Sequence, residues 1–180
     1  MRSYPIRLVG DPVLAQKTND VTDIDGRLVK VIDGMFDTLY SSDTGIGLAA
    51  NQVGIQNRLF VFDLEGGDDP RVLINPRVTG SDGEWMYAEG CLSIPGLHYE
   101  IIRPKVVEVT ALDLEGNEIA FEADELFSRL IQHEIDHLDG KLMLEHLDED
   151  QLKDAKRAIR EMQLARDEAE PPARTGFRLR

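Results

Sequence analysis

Apolar residues at Ile24, Leu28, Val31, Ile32, Met35, Phe36 and Leu39 recur at helical steps and predict a long amphipathic first helix, with Thr22 or Asp23 as its cap. The pattern then shortens to that of strands. Residues 58–63, 72–78 and 85–87 read as strands, and Gly66-Gly67-Asp68-Asp69-Pro70 as an exposed loop. Residues 105–113 and 118–123 predict a hairpin around Glu115-Gly116-Asn117. Helical spacing returns with Leu126, Leu130, Ile131, Ile135, Leu138 and Leu142, between a cap at Asp124 and a stop at Gly140. This helix is apolar on most of its circumference, which predicts a buried, central element. Leu152, Ala155, Ile159, Met162 and Ala165 place a narrow apolar stripe on a last, charged helix over residues 148–168, suited to docking on a surface. Glu170-Pro171-Pro172 ends it, and residues 169–180 read as a disordered tail with Arg174, Arg178 and Arg180 as a small basic end. The expectation is an α+β fold: mostly antiparallel strands around a central helix, with a long N-terminal helix and a C-terminal helix. One domain over residues 1–168 is expected, without internal repeats.

Composition narrows the class. A chain of 180 residues, 42% of them apolar, can bury one core. The formal charge of −14 argues against a general binder of nucleic acid or of anionic membrane. Residues 1–5 lack the apolar core of a signal peptide, no run approaches the length of a membrane span, and a single cysteine suits a reducing compartment. A cytoplasmic protein is expected.

The chemistry lies in the central helix. His133-Glu134-Ile135-Asp136-His137 sets two imidazoles four residues apart, so both reach one face and one metal ion, with Glu134 beside them. Two neutral imidazoles bind an ion, and the free carboxylate takes a proton from the water that the ion activates. The alternative is a buried helix with two hydrogen-bonded histidines. A catalytic site of this type needs a third ligand and an open position. The longer zinc-protease pattern fails, because Met143 stands where it requires histidine. Glu161 on a following helix is one candidate ligand. Cys91, in Glu89-Gly90-Cys91-Leu92-Ser93-Ile94-Pro95-Gly96, is the other and the better one: a lone cysteine in a Gly/Pro-flanked loop, although most lone cysteines are small buried hydrophobes. Gly45-Ile46-Gly47-Leu48-Ala49-Ala50-Asn51-Gln52 reads either as a tight turn packed on the core or as a backbone strip for an extended substrate, with the Gln52 amide as donor.

Taken together, Gly45-Ile46-Gly47-Leu48-Ala49-Ala50-x-Gln52, Glu89-Gly90-Cys91-Leu92-Ser93 and Gln132-His133-Glu134-x-x-His137-Leu138 resemble the three motifs of the bacterial-type peptide deformylases, in order and in spacing. The resemblance runs from about Tyr4 to Leu147. It implies removal of the formyl group from N-formyl-methionyl nascent peptides. It also implies one Fe(2+), replaceable by Zn, Ni or Co, held by Cys91, His133 and His137. Donor chemistry alone suits zinc equally. By resemblance Glu134 is the general base, and the Gln52 amide and the Leu92 backbone N–H are donors to the formyl oxygen. Gly45, Ile46 and Gly47 would pair with the peptide backbone, and Ile46, Tyr87, Leu126, Leu130 and the His133 ring would line the methionine pocket. Leu126 and Leu130 are equally well explained as core.

The chain departs from many members where an arginine near His98 helps hold the peptide; here Gly96-Leu97-His98-Tyr99 stands. His98 reads as a surface residue, His146 as structural, Asn51 as marking nothing, and Arg103 as a partner of Glu89 that holds the Cys91 loop. The resemblance further raises contact between the C-terminal region and the ribosome. Two other classes stay open at this stage: a zinc endopeptidase with Glu161 as third ligand, and a metal- or peptide-binding module without turnover.

Overall fold

The computed structural model describes residues 3–42 and 44–169. They divide into two compact units, one ending at His146 and one beginning at Leu147. In the first unit, α1 (Gly26–Tyr40) is followed by seven strands: β1 (Gly47–Ala49), β2 (Leu59–Phe62), β3 (Arg71–Asp82), β4 (Trp85–Cys91), β5 (Ile94–Arg103), β6 (Val106–Leu112) and β7 (Glu118–Asp124). Helix α2 (Glu125–Leu138) completes it. β1-β2-β3-β6-β7 form one antiparallel sheet and β4-β5 a separate two-stranded one. The expected α+β class holds.

The large sheet is buried on both faces at β1 and β2 and on one face at β6, where Val107, Val109 and Ala111 point inward and Glu108 and Thr110 outward. Successive residues of a strand point to opposite sides, and β2 shows this directly. Leu59 and Val61 enter the core beneath α1, with Leu28, Ile32, Met35 and Leu39. Phe60 and Phe62 enter the core beneath α2, with Leu130, Ile131, Ile135 and Leu138. All four β2 residues are therefore apolar and buried.

Several local expectations shift. The cap of α1 is Asp25, whose carboxylate accepts from the N–H groups of Arg27 and Leu28, rather than Thr22 or Asp23. Asp124 stands at the N-cap of α2 but its side chain makes no capping bond; the Glu125 N–H donates to the Lys105 carbonyl instead. The strand expected at residues 85–87 continues to Cys91, and β5 has no counterpart in the sequence reading. Pro95-Gly96 looks like a turn but lies inside β5, with Gly96 at φ +79°. The hairpin turns three residues earlier, at Leu92-Ser93. α2 ends as expected: Gly140 is at φ +75°, where an added Cβ would meet the Ala15 backbone at 2.9 Å.

The second unit holds α3 (Glu149–Ala169). Asp148 and Gln151 cap its start reciprocally: the Gln151 N–H donates to Asp148 Oδ1 at 2.8 Å and the Asp148 N–H to Gln151 Oε1 at 3.2 Å. The helix matches the expected 148–168 closely. The tail expected from residue 169 lies, from 170 onward, outside the described residues.

Candidate active site

α2 carries His133 and His137 one turn apart, with ring centroids 4.9 Å from each other. β4 delivers Cys91 from the far side, at the point where its pairing with β5 breaks register between Gly90 and Cys91. One ligand-type atom from each of Cys91, His133 and His137 lies within 4.8 Å of the others, and among the described residues this is the group able to hold a metal. The Cys91 Sγ stands 3.2 Å from His137 Nε2.

Charge supports that grouping. Burial pushes the Cys91 thiol up, but the imidazoles of His137 and His133 outweigh it and hold the thiol well below its ordinary range. Burial pushes His133 down, but its hydrogen bonds to Cys91 and Glu89 hold it well above the usual imidazole value. The group therefore favours thiolate, the form that ligates metals. Glu134 is 4% exposed, and burial pushes its carboxyl up against the pull of both imidazoles. Its Oε2 has no hydrogen-bond partner among the described residues. An added Cβ at Gly47 would meet Glu134 Oε1 at 2.6 Å, so only glycine lets β1 run this close to the carboxylate.

Gln52 reaches the same centre from a 3-10 turn, Ala50–Val53, that follows β1. Its Oε1 accepts the Ala49 N–H at 2.8 Å, which fixes the orientation of the amide. Its Nε2 donates to Ser93 Oγ at 3.2 Å and lies 3.8 Å from Cys91 Sγ. A cleft of about 440 Å³ opens over these groups. Gly45, Ile46, Gly47, Gln52, Tyr87, Cys91, Leu92, Leu126, Leu130, His133 and Glu134 all line it. His137 is buried behind it. Leu126 is 41% exposed and belongs to the cleft, whereas Leu130 lines the cleft and also belongs to the core under α2. His98 is exposed at the cleft, as expected of a surface residue, and packs over Gly90 so closely that a Cβ there would meet its ring at 2.6 Å.

Behind His133 lies a buried charged cluster that the sequence reading met only in part. His133 Nδ1 donates to Glu89 Oε2 at 3.0 Å, which leaves Nε2 for an ion. The expected Arg103–Glu89 pair is present and two-pronged: Arg103 Nε and Nη2 donate to Glu89 at 2.5 and 3.0 Å. Arg103 Nη1 also donates to Asp136, which accepts from His146 as well, each at 2.7 Å. Arg129, unnoticed in the sequence, donates to Glu89 at 2.6 Å and to the Trp85 carbonyl, and lies over the Trp85 and Tyr87 rings. Its signal was available: it stands four residues before His133, on the same helix face. Burial pushes the Glu89 carboxyl up, but His133 and Arg103 hold it far below the ordinary range.

Asn51 also has a place. Its Nδ2 donates to the His137 carbonyl, and the residue is fully buried. Glu161 lies in the second unit and is absent from the metal-holding group.

Comparison with known proteins gives the family. A family described as polypeptide deformylase matches residues 3–153. A peptide deformylase of Clostridium botulinum is 48% identical over 140 residues, 78% of this chain and 93% of that one. The crystal structure of a peptide deformylase from Legionella pneumophila superposes with a TM-score of 0.86 at 35% identity, over 94% of this chain and 99% of the other. One from Synechococcus elongatus, in complex with actinonin, gives 0.84 at 40% identity, over 91% and 89%. The alternative readings as endopeptidase or binding module find no support there. With a Cys, two His and a buried Glu gathered at one cleft, and with relatives that align over nearly their whole length, this chain belongs to the polypeptide deformylase family.

Proposed function

We propose that this cleft hydrolyses the formamide bond of N-terminal formyl-methionine on newly made polypeptides, releasing formate, with Cys91, His133 and His137 as metal ligands. The observation that carries the reading is the convergence of those three side chains within 4.8 Å beneath a cleft that Glu134 and Gln52 also line. The donors fit one ion: the thiol is held low, and His133 has its second nitrogen committed to Glu89. When bound, the ion supplies Lewis-acid activation of a water and of the formyl carbonyl.

The chain's own residues do the rest. Glu134 removes a proton from the attacking water and returns it to the leaving amine nitrogen. The Gln52 Nε2–H and the Leu92 backbone N–H donate to the formyl oxygen as negative charge grows on it. Gly45 to Gly47 pair with the peptide backbone as a strand, and Ile46, Tyr87, Leu126 and Leu130 receive the methionine side chain. What supports these roles is the cleft position of every residue named.

The ion is Fe(2+) on the strength of the resemblance, and metal content of the purified protein decides between iron and zinc. The catalytic domain spans residues 1–168; the family match, which continues to residue 153, supports an extent beyond His146. No helix among the described residues is long and apolar enough to cross a membrane. We place the enzyme in the cytoplasm, where formylated chains are made, with its basic C-terminal end against the ribosome. Deleting residues 170–180 then weakens ribosome co-sedimentation and leaves turnover of a free peptide unchanged.

Anaerobic turnover of formyl-Met-Ala-Ser tests the assignment. Wild type releases formate. Cys91→Ser loses metal, and Glu134→Ala keeps its metal but falls by at least about a thousandfold. A fully metallated wild type that releases no formate would overturn the reading.

A further inference from the structure

We propose that Ser93 is a positioning residue for deformylation: its buried hydroxyl aims the Gln52 amide at the formyl oxygen. The inference rests on the reading of Gln52 as donor to that oxygen.

Gln52 has one amide oxygen and two amide hydrogens to place. The oxygen is committed to the Ala49 N–H at 2.8 Å. One hydrogen is accepted by Ser93 Oγ at 3.2 Å. The other points toward the Cys91 Sγ, 3.8 Å away, as a long hydrogen bond to sulfur. The bonds to Ala49 and Ser93 are both needed to fix the amide plane. The Ala49 bond alone sets where the oxygen lies and leaves rotation about it free. Ser93 removes that freedom, and so decides the direction in which the second hydrogen points.

Ser93 is itself held. It is fully buried at the turn between β4 and β5, and its carbonyl accepts the Val9 N–H at 2.8 Å. Two residues earlier in the chain, the Arg7 N–H donates to the Gln52 carbonyl at 2.7 Å. One N-terminal segment therefore ties both loops, and the Ser93–Gln52 distance is set by backbone bonds on each side. A donor aimed in advance stabilises charge without reorganising at the moment of reaction. In Ser93→Ala the inner hydrogen has no acceptor in a buried place, and the amide turns to find one.

The test compares kcat and KM for formyl-Met-Ala-Ser in metal-loaded wild type, Ser93→Ala, Ser93→Cys, Ser93→Thr, Gln52→Ala and the Gln52→Ala/Ser93→Ala double variant. Thermal midpoint and metal content are measured on each. Ser93→Ala is expected to lower kcat roughly tenfold, with KM within about twofold, metal content near wild type and a midpoint lowered by only a few degrees, as the loss of one buried hydrogen bond entails. Ser93→Cys, similar in size but a weaker acceptor, falls between, and Ser93→Thr, which keeps the hydroxyl, recovers most of the rate. The double variant is no slower than Gln52→Ala alone, because Ser93 acts only through that amide. A Ser93→Ala rate within twofold of wild type while Gln52→Ala is slow, or a double variant showing the product of both losses, overturns the role of Ser93. Should Ser93→Thr fold poorly, Ser93→Cys and the double variant decide the matter by themselves. Gln52→Ala at full rate overturns the donor role of Gln52 instead, a separate failure.

Discussion

His133 and His137 face the same centre from one helix turn apart, yet the protein holds them by different means. Behind His133 the support is ionic. Its Nδ1 donates to Glu89, which two buried guanidinium groups also bind, and Arg103 extends the chain to Asp136 and His146. Behind His137 the support is neutral and acts on backbone. Asn51 donates to the His137 carbonyl, Thr18 donates twice to the Leu138 carbonyl, and the ring Nδ1 has no partner among the described residues. A ring held by a carboxylate at the nitrogen behind the site has a fixed tautomer and direction; the His137 ring, which meets Cys91 Sγ through Nε2 but has no partner at Nδ1 among the described residues, depends more on packing. Two histidines that are equivalent by spacing are thus unequal by support.

Breaking the ionic side should have the largest effect. Glu89→Ala leaves Arg103 and Arg129 buried with a shared carboxylate gone, and is expected to cost about 3–5 kcal/mol in urea denaturation and to weaken metal binding by about 10- to 100-fold. Glu89→Gln, still able to accept from His133, should lose less of its metal affinity than Glu89→Ala. On the neutral side, Asn51→Ala removes one buried hydrogen bond and is expected to cost about 1–2 kcal/mol, with a smaller loss in metal competition than Glu89→Ala. Equal losses of metal affinity in both variants would erase the distinction.

Acid sharpens the same contrast. Glu89 is held below its ordinary value of 4.5, and Asp136 below 3.8, where burial would raise it but His146 and Arg103 prevail. A carboxyl depressed in the folded state contributes stability that is complete above its unfolded pKa and is lost as pH falls through its folded value. Thermal midpoints should therefore decline below about pH 4.5, and Glu89→Gln should show a shallower decline. The smallest effect belongs to His146→Ala. That ring is partly exposed at the end of the chain of charges, and its loss should cost less than about 1 kcal/mol and leave metal content unchanged.

Legibility differs along the chain for physical reasons. The α2 histidine pair was readable because a four-residue step lands on one helix face whatever packs against it. The large sheet was readable because β2, buried on both faces, is continuously apolar, and β6, buried on one, alternates apolar with polar residues. The β4–β5 hairpin was not. Its cross-strand pair Met86 and Ile102 is exposed, so burial imposes no alternation, and Pro95-Gly96 imitates a turn inside the strand. Arg129 was overlooked for a related reason. A charged residue on a helix is ordinarily solvated, and only the approach of Glu89 from β4 turns this one inward.

The sequence by itself determined the elements whose signal is local: the two histidines on one helix face, the β-branched and aromatic strands, the glycine that ends the central helix, and the three motifs that resemble one family. Only the tertiary structure decided how close Cys91 comes to the two histidines, that Glu89 anchors His133 while Asn51 holds the backbone at His137, and that Ser93 meets Gln52 across 41 residues of chain. The division follows from range. Periodicity and capping depend on neighbours a few residues apart, whereas the site is assembled from separate elements brought together by burying two apolar faces of a single sheet.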